Sequence, residues 1–334
     1  MAEPLTAGDV TVGIGVSIGI ALFPEHGTDL SQLLHKSDLA MYRAKTTQFS
    51  YHMFDAADDA DAAETLRTDQ ELRSALEHDQ FVLHYQPKVD LETGEVHCVE
   101  ALVRWDHPSR GLLYPSAFLS VAETAGLMAA LTEAVLAKAL DQTARWRQDG
   151  VDLAVAVNIS ASSLIDTELP DRIAAMLASH ELPPATLELE ITEEFLLGDR
   201  ELAQAILTRL HEAGVRISVD DFGTGYSSLS YLRDLPVDEI KLDNSFVIPM
   251  RHDERSAALV SSTITLAHSL GLRIVAEGVE TAWAYTELSQ MGCDHAQGYF
   301  MSRPLPVAEF DRWLARWQGL DESRSTREPV AAGV

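Results

Sequence analysis

The chain has 334 residues, 46% hydrophobic and 23% charged, the make-up of a globular protein with one large domain or two smaller ones. Its net charge of -27, from 25 basic and 52 acidic residues, repels polyanions and argues against sequence-independent nucleic-acid binding. Two cysteines, Cys98 and Cys293, lie far apart and outside any metal-ligand spacing, which fits a reducing compartment and argues against a disulfide scaffold. No basic region precedes Lys36, and the apolar run 12–23 is too short and glycine-rich to span a bilayer. A cytoplasmic location is expected.

The elements fall into two parts. A short segment occupies residues 1–56. The acidic, alanine-rich stretch "ADDADAAETL" then leads into a polar helical pattern, which predicts a helical linker over 57–78. Beyond it, eight β-branched runs alternate with amphipathic stretches: 81–89, 96–105, 154–160, 187–193, 216–222, 239–246, 273–279 and 295–300. Helices are predicted near 129–148, 171–181, 200–213, 254–270 and 281–291, with Gly150, Gly214 and Gly271 placed as C-terminal caps for three of them. Eight strands with intervening helices over about 250 residues have the rhythm of an α/β fold of the TIM-like (β/α)8 kind. An open doubly wound sheet competes with it. The first two strands are joined by "DLETGE" alone, too short for a helix, so they form a hairpin and the first strand runs antiparallel.

Side chains alternate faces along a strand. Val155, Val157 and Ile159 share one face, opposite Asn158; Leu187, Leu189 and Ile191 oppose Glu188 and Glu190. Ile217 and Val219 oppose Asp220; Ile240 and Leu242 oppose Lys241 and Asp243; Ile274 and Ala276 oppose Glu277; Val99, Ala101 and Val103 oppose Glu100, Leu102 and Arg104. Helices covering the apolar faces would leave the carboxylates inside, where unpartnered charge is very costly. Their convergence implies cations. This accounts for "VDDFGTG", in which two adjacent aspartates, Asp220 and Asp221, precede a turn built on Gly223 and Gly225. Donors that are all oxygen suit Mg²⁺ or Mn²⁺, and their number points to two ions sharing one aspartate, an arrangement suited to in-line phosphoryl displacement. Lys241 among them is either a structural ion pair or a group that orients or deprotonates the attacking water. Glu188, deeper than Glu190, is expected to pair with a buried basic group. Glu280, three residues after Glu277, could equally cap a helix.

These residues carry a resemblance. Glu100-Ala101-Leu102 followed by Val103-Arg104-Trp105 resembles the signature of EAL domains, the cyclic di-GMP phosphodiesterases. The likeness continues through Tyr85-Gln86-Pro87, Asn158-Ile159-Ser160, Glu190-Ile191-Thr192-Glu193, Asp220 to Gly225, Ile240 to Asp243, Ala276 to Glu280 and Gln297 to Phe300. It implies a barrel with an antiparallel first strand and hydrolysis of cyclic di-GMP to linear pGpG by two divalent cations. It also implies that Glu100, Asn158, Glu190 and Asp220 hold one ion, and that Asp220, Asp221 and Glu277 hold the other. Lys241 would activate the attacking water. Gln86, Leu102 and Arg104 would contact substrate, Arg104 at a phosphate, and Gln297 would support the water or the metals. Asp243 is counted on the substrate side, or as a support for Lys241 or a metal. Glu193, Glu280, Gly223 and Gly225 would anchor the loop 221–229. The resemblance further suggests a homodimer through helices near that loop. A receptor with little or no turnover is the alternative.

Residues 10–55 differ. Val16 to Ala21 and Asp38 to Lys45 resemble the last third of a GGDEF (diguanylate cyclase) domain, giving a short α+β fragment without the catalytic loop. Such a fragment would not synthesise the dinucleotide, and it is too short for an ordinary independent core. It would either pack on the barrel or stay partly disordered, and a native protein that extends upstream is expected. The organisation expected is therefore a fragment over 1–56, a linker over 57–78, a barrel over 79–320 and a disordered tail over 321–334.

Overall fold

The computed structural model of the chain describes residues 5–7, 10–12, 16–46, 50–192, 200–224, 232–233 and 235–319. The tail 321–334 therefore lies outside the described residues. The chain divides into two compact units, residues 1–74 and 75–334.

In the first unit, β1 (Leu5–Ala7) and β2 (Val10–Val12) form an antiparallel hairpin. Strand β3 (Ile18–Ile20), helix α1 (Leu30–Thr46) and strand β4 (Tyr51–Met53) form a β–α–β unit in which the strands pair in parallel. Gly19 makes this packing possible: a Cβ there would stand 1.9 Å from the Ser37 carbonyl oxygen on α1. Helix α2 (Ala56–Glu77) follows, covering most of the expected linker. Its buried Asp58 takes the Arg43 guanidinium at 2.9 Å, His52 Nε2 at 3.1 Å and the Asp55 N–H at 2.8 Å. Burial opposes the charge of Asp58, but these partners hold its carboxyl below the usual range.

The second unit is the barrel. Strands β5 (Phe81–Asp90) and β6 (Val96–His107) form the expected hairpin, with Gln86 opposite Glu100. Then β8 (Ala154–Ile159), β9 (Leu187–Thr192), β10 (Arg216–Phe222), β11 (Glu239–Leu242), β12 (Arg273–Ala276) and β13 (His295–Ala296) follow β6 in parallel succession. Strand β13 pairs antiparallel with β5 and closes the ring, which rules out the open doubly wound sheet. Two short strands escaped the sequence pattern: β7 (Gly111–Leu113) pairs with β6, and β14 (Leu305–Pro306) pairs with β5.

Among the described residues the unit also contains the helices α3 (Leu119–Thr124), α4 (Met128–Gln148), α5 (Leu169–Ser179), α6 (Arg200–Glu212), α7 (Asn244–Val247), α8 (Glu254–Ser269), α9 (Ala282–Gln290) and α10 (Val307–Leu314). The stripe read from α4 is real: Leu131, Val135, Leu136 and Leu140 are all buried. Gly150, Gly214 and Gly271 take φ values of 81°, 93° and 75°, the left-handed conformation of helix-terminating glycines.

Three expected strands are shorter than the sequence pattern suggested. The run 239–246 ends at Leu242, because Asp243 becomes the N-cap of α7 and accepts a hydrogen bond from the Ser245 N–H. The run 273–279 ends at Ala276, and 295–300 contributes two residues. In each case the chain turns away at the barrel rim, which is where site residues stand.

Candidate active site

The barrel interior is layered by the strand register. Asn158 is the register partner of Glu190 across β8 and β9, and Glu190 is the partner of Ser218 on β10. Glu188 and Glu190, two apart on β9, both point inward and are 1% and 0% exposed. Glu100, Lys241, Lys88 and Gln297 are buried as well.

At the upper layer Lys241 Nζ sits 2.8 Å from Glu277 Oε1, 3.0 Å from Asp220 Oδ2, 3.0 Å from Glu190 Oε2 and 3.5 Å from Glu100 Oε2. Burial opposes its charge, yet these carboxylates hold its pKa well above the ordinary lysine value. Asn158 Nδ2 donates to Glu100 Oε1 at 2.7 Å and to Glu190 Oε2 at 3.2 Å. Gln297 Nε2 donates to Glu100 Oε2 at 2.6 Å and to Gln86 Oε1 at 3.1 Å, and Gln86 in turn donates to the Ser302 carbonyl at 3.1 Å. A chain of amides thus steadies Glu100 from β5 and from the segment after β13.

Among the described residues, two carboxylate groups have the closeness that a metal ion requires: Glu100, Glu190 and Asp220, and Asp220, Asp221 and Glu277, with each trio's ligand atoms within 4.8 Å of one another. Asp220 belongs to both. Asp221 holds φ at 55°, a left-handed backbone unusual for a side-chain-bearing residue, and its N–H donates to Asp220 Oδ1 at 2.9 Å. That turn aims two successive carboxylates at one place. Gly223 completes it at φ 100°, where a Cβ would meet the Phe246 ring at 2.9 Å.

The electrostatics test whether cations suit this donor set. The Lys241 ammonium touches four carboxylates, and the excess of negative charge shows in the acid groups. Burial and the neighbouring Glu190 push Glu100 up to about 8. Burial, with Asp220 adding to it and Lys241 opposing it, pushes Glu277 up to about 7. Glu190 goes the other way, to about 2, because Lys241 and Lys88 together outweigh its burial. Divalent cations bound by oxygen would remove the excess, so the residues fit a two-metal carboxylate cluster.

Above the cluster opens a cavity of about 900 Å³, lined by Gln86, Leu102, Asn158 and Glu280 along with Glu100, Asp220, Lys241 and Glu277 of the cluster. Pro115, Leu119, Met128 and Leu131 give it an apolar wall. Arg104 stacks its guanidinium 4.9 Å over the Tyr114 ring and donates to the Val103 carbonyl, while its buried Nε has no partner among the described residues. Asp243 is not among the lining residues and caps α7 instead. Glu280 does not cap α9; Thr281 does, accepting from the Ala284 N–H at 3.1 Å. Glu193 and Gly225 lie outside the described residues, as does most of the loop 221–229. Sequence reasoning missed the apolar wall, because α3 was not among the predicted helices and the apolar stripe of α4 reads as ordinary core. It also left the basic partner of Glu188 unnamed. The structure supplies that partner as Lys88, which is two residues from Gln86 and on the same strand face.

Comparison with known proteins agrees with this geometry. The EAL domain family profile matches residues 69–304, and the profile for the diguanylate cyclase GGDEF domain matches residues 1–50. The chain belongs to the EAL-domain family. It is 42% identical over 311 residues to the bifunctional diguanylate cyclase/cyclic di-GMP phosphodiesterase MucR of Pseudomonas aeruginosa, covering 92% of this chain and 45% of that protein. It is 39% identical over 315 residues to the cyclic di-GMP phosphodiesterase PdeR of Escherichia coli, covering 94% of this chain and 48% of that one. The chain thus spans under half the length of these relatives. The solved PaMucR phosphodiesterase in complex with c-di-GMP superposes with a TM-score of 0.70 at 44% identity, over 73% of this chain and 99% of that one. The FimX EAL domain from Pseudomonas aeruginosa bound to c-di-GMP gives 0.67 at 25% identity, over 71% and 96%.

Proposed function

We propose that this chain hydrolyses one phosphodiester of cyclic di-GMP to give linear pGpG. The observation that carries the reading is the pair of carboxylate trios sharing Asp220, set with Lys241 beneath a cavity of dinucleotide size. The names of its relatives, and the dinucleotide bound in the PaMucR structure, supply the substrate. Glu100, Asn158, Glu190 and Asp220 would hold one cation, with the Asn158 amide turned over so that its oxygen takes the place of the Nδ2 that donates to Glu100 and Glu190. Asp220, Asp221 and Glu277 would hold the second. Mg²⁺ or Mn²⁺ suits these hard oxygen donors. When bound, such a pair lowers the pKa of the attacking water and stabilises the attacking and leaving oxygens.

The chain's own residues do the rest. Lys241 is a hydrogen-bond donor held by carboxylates on several sides, so its role is to orient the attacking water. Arg104, with an unpartnered Nε, meets a phosphate oxygen. Leu102 and the apolar wall receive a base and exclude water from the reacting centre. Gln297 and Gln86 keep Glu100 in place. Asp243 acts through the rim, by fixing α7. Glu193 and Glu280, with the glycines of the turn, anchor the loop after Asp221.

The same reading extends to the whole molecule. Residues 1–56 are a cyclase-like remnant with no synthetic activity, 57–78 a helical linker, 79–320 the phosphodiesterase barrel and 321–334 a tail. The family resemblance supports a homodimer through helices near the loop 221–229. Among the described residues, no helix is long and apolar enough to cross a membrane. Both cysteines are buried free thiols, and with a dinucleotide messenger as substrate this supports a cytoplasmic site of action.

The test is a time course of cyclic di-GMP with purified chain and Mg²⁺ or Mn²⁺, read by chromatography, beside Lys241→Ala and a chelator. Formation of pGpG that needs both the metal and Lys241 is expected. Tight binding with no product would replace the enzyme reading with a receptor, and neither binding nor product would overturn both.

A further inference from the structure

Below the cluster lies a second set of buried charges to which the reaction gives no role. Lys88, 2% exposed on the antiparallel strand β5, reaches across the barrel to Glu188 and Glu190 on β9 and to Glu239 on β11. Its Nζ lies 2.7 Å from Glu190 Oε1 and 3.1 Å from Glu239 Oε1. His295 Nδ1 approaches Glu239 Oε2 at 3.4 Å. Neutralising Glu188 and Glu239 would be reason enough for a buried lysine. It does not explain the contact with Glu190, which Lys241 already serves.

Among the described residues, Glu190 is the one carboxylate that touches both lysines, and it divides its oxygens between them. Oε1 faces down to Lys88. Oε2 faces up, 3.0 Å from Lys241 Nζ and 3.2 Å from Asn158 Nδ2. The Oε1 contact is ionic, without the angle of a hydrogen bond. A carboxylate held from both sides cannot spin about its last torsion. Of its two oxygens only Oε2 faces the cation site, where a free carboxylate could chelate with two.

We propose that Lys88 is a positioning residue for the hydrolytic site: from the barrel floor it holds Oε1 of Glu190, so that this ligand offers only Oε2 upward. The proposal rests on the phosphodiesterase reading and deepens it. With the floor contact gone, Glu190 is free to present both oxygens. A positive charge is also removed from beneath the cation site. Both changes tighten metal binding, while the second oxygen takes up coordination space that the reaction needs. Tighter metal with slower turnover is therefore the signature of lost positioning, whereas general loosening of the fold weakens both.

Lys88→Met alone would take the lysine from two buried glutamates, Glu188 and Glu239, and could unfold the barrel. The comparison is therefore between two chains that differ only at residue 88 and lack the two glutamates Lys88 would otherwise leave unpaired, Glu188→Gln/Glu239→Gln and Lys88→Met/Glu188→Gln/Glu239→Gln. Mn²⁺ binding is read by electron paramagnetic resonance, turnover by pGpG formation at saturating Mn²⁺, and folding by thermal melting. The double variant is expected to stay within about threefold of wild type in both measures. The triple variant is expected to bind Mn²⁺ about tenfold tighter than the double and to turn over at least about tenfold more slowly. Tighter binding with unchanged turnover would show a charge effect alone and overturn the proposal. So would a joint loss of affinity, turnover and melting temperature, or a double variant as impaired as the triple. Should wild type bind Mn²⁺ without turnover, the Mn²⁺ spectra decide: a changed zero-field splitting in the triple variant, as a second Glu190 oxygen enters, supports the proposal, and spectra identical to those of the double overturn it. A wild type that does neither overturns the proposal together with the function it rests on.

Discussion

Replacing Lys241 by Met removes the ammonium that four carboxylates surround at 2.8–3.5 Å. Breaking a buried ion pair by deleting one partner costs about 3–5 kcal/mol, because the remaining charges stay buried. Glu100 and Glu277 already lean toward protonation and absorb part of the loss, which places the cost near the lower figure. For a unit of this size about 3 kcal/mol lowers the melting temperature by roughly 6–12 °C. A divalent cation does electrostatically what the ammonium did. At about 100 times its dissociation constant it contributes about 2.7 kcal/mol, so Mn²⁺ should restore most of the loss in the variant. The assay is differential scanning fluorimetry of both proteins with chelator and with Mn²⁺, beside pGpG formation. Stability should return with metal while turnover stays down by at least about a thousandfold, as expected when the group orienting the nucleophile is gone. A metal-free melting temperature equal to wild type, or equal Mn²⁺ shifts in both proteins, would refute the view of Lys241 as the neutralising cation. Retained turnover would refute its catalytic role.

Three further predictions concern the same cluster. Glu100 and Glu277 have folded pKa values raised to about 8 and about 7, so the native state binds more protons than the unfolded state above about pH 4.5. Metal-free stability should fall as pH rises from 5 to 8, with His84, lowered by burial, opposing it weakly, and Mn²⁺ should flatten the profile; a rising metal-free profile in denaturant titrations would contradict the charge balance drawn here. Asp221→Gly should relieve the left-handed backbone and raise stability by up to about 1 kcal/mol while abolishing turnover, read by melting and by product formation. Gln297→Met removes the 2.6 Å hydrogen bond to Glu100 at nearly constant volume, and should lower metal affinity or turnover about 10–100-fold with an unchanged circular dichroism spectrum.

The barrel could be read from the chain because its rule is periodic. Alternation along 154–160, 187–193 and 216–222 assigns each side chain to the helix-facing or the interior face, and the short "DLETGE" link forces the hairpin. The cluster could be read for the same reason, since like charges gathered on the interior face need cations to coexist. What stayed hidden depends on tertiary contact. Nothing local says that Asp243 will cap a four-residue helix rather than extend a strand, or that Thr281 will cap in place of Glu280. The apolar wall comes from helices whose pattern looks like ordinary core. Lys88 sits in a run whose neighbours are mostly apolar, and only the closing of the ring brings it to Glu188, 100 residues away.

The ring closes through a narrow joint. Strand β13 contributes two residues, His295 and Ala296, between β12 on one side and β5 on the other. The next residue is Gln297, whose main chain bonds Ala276 and Val279 and whose side chain grips Glu100. Any breathing of the barrel at this joint therefore loosens the cluster, and coupling of this kind is reciprocal. A ligand that fixes Glu100 draws the joint tight as well. Amide exchange at Ala296 and Gln297, rather than at the long β5–β6 hairpin, should be where the molecule first registers that its site is filled.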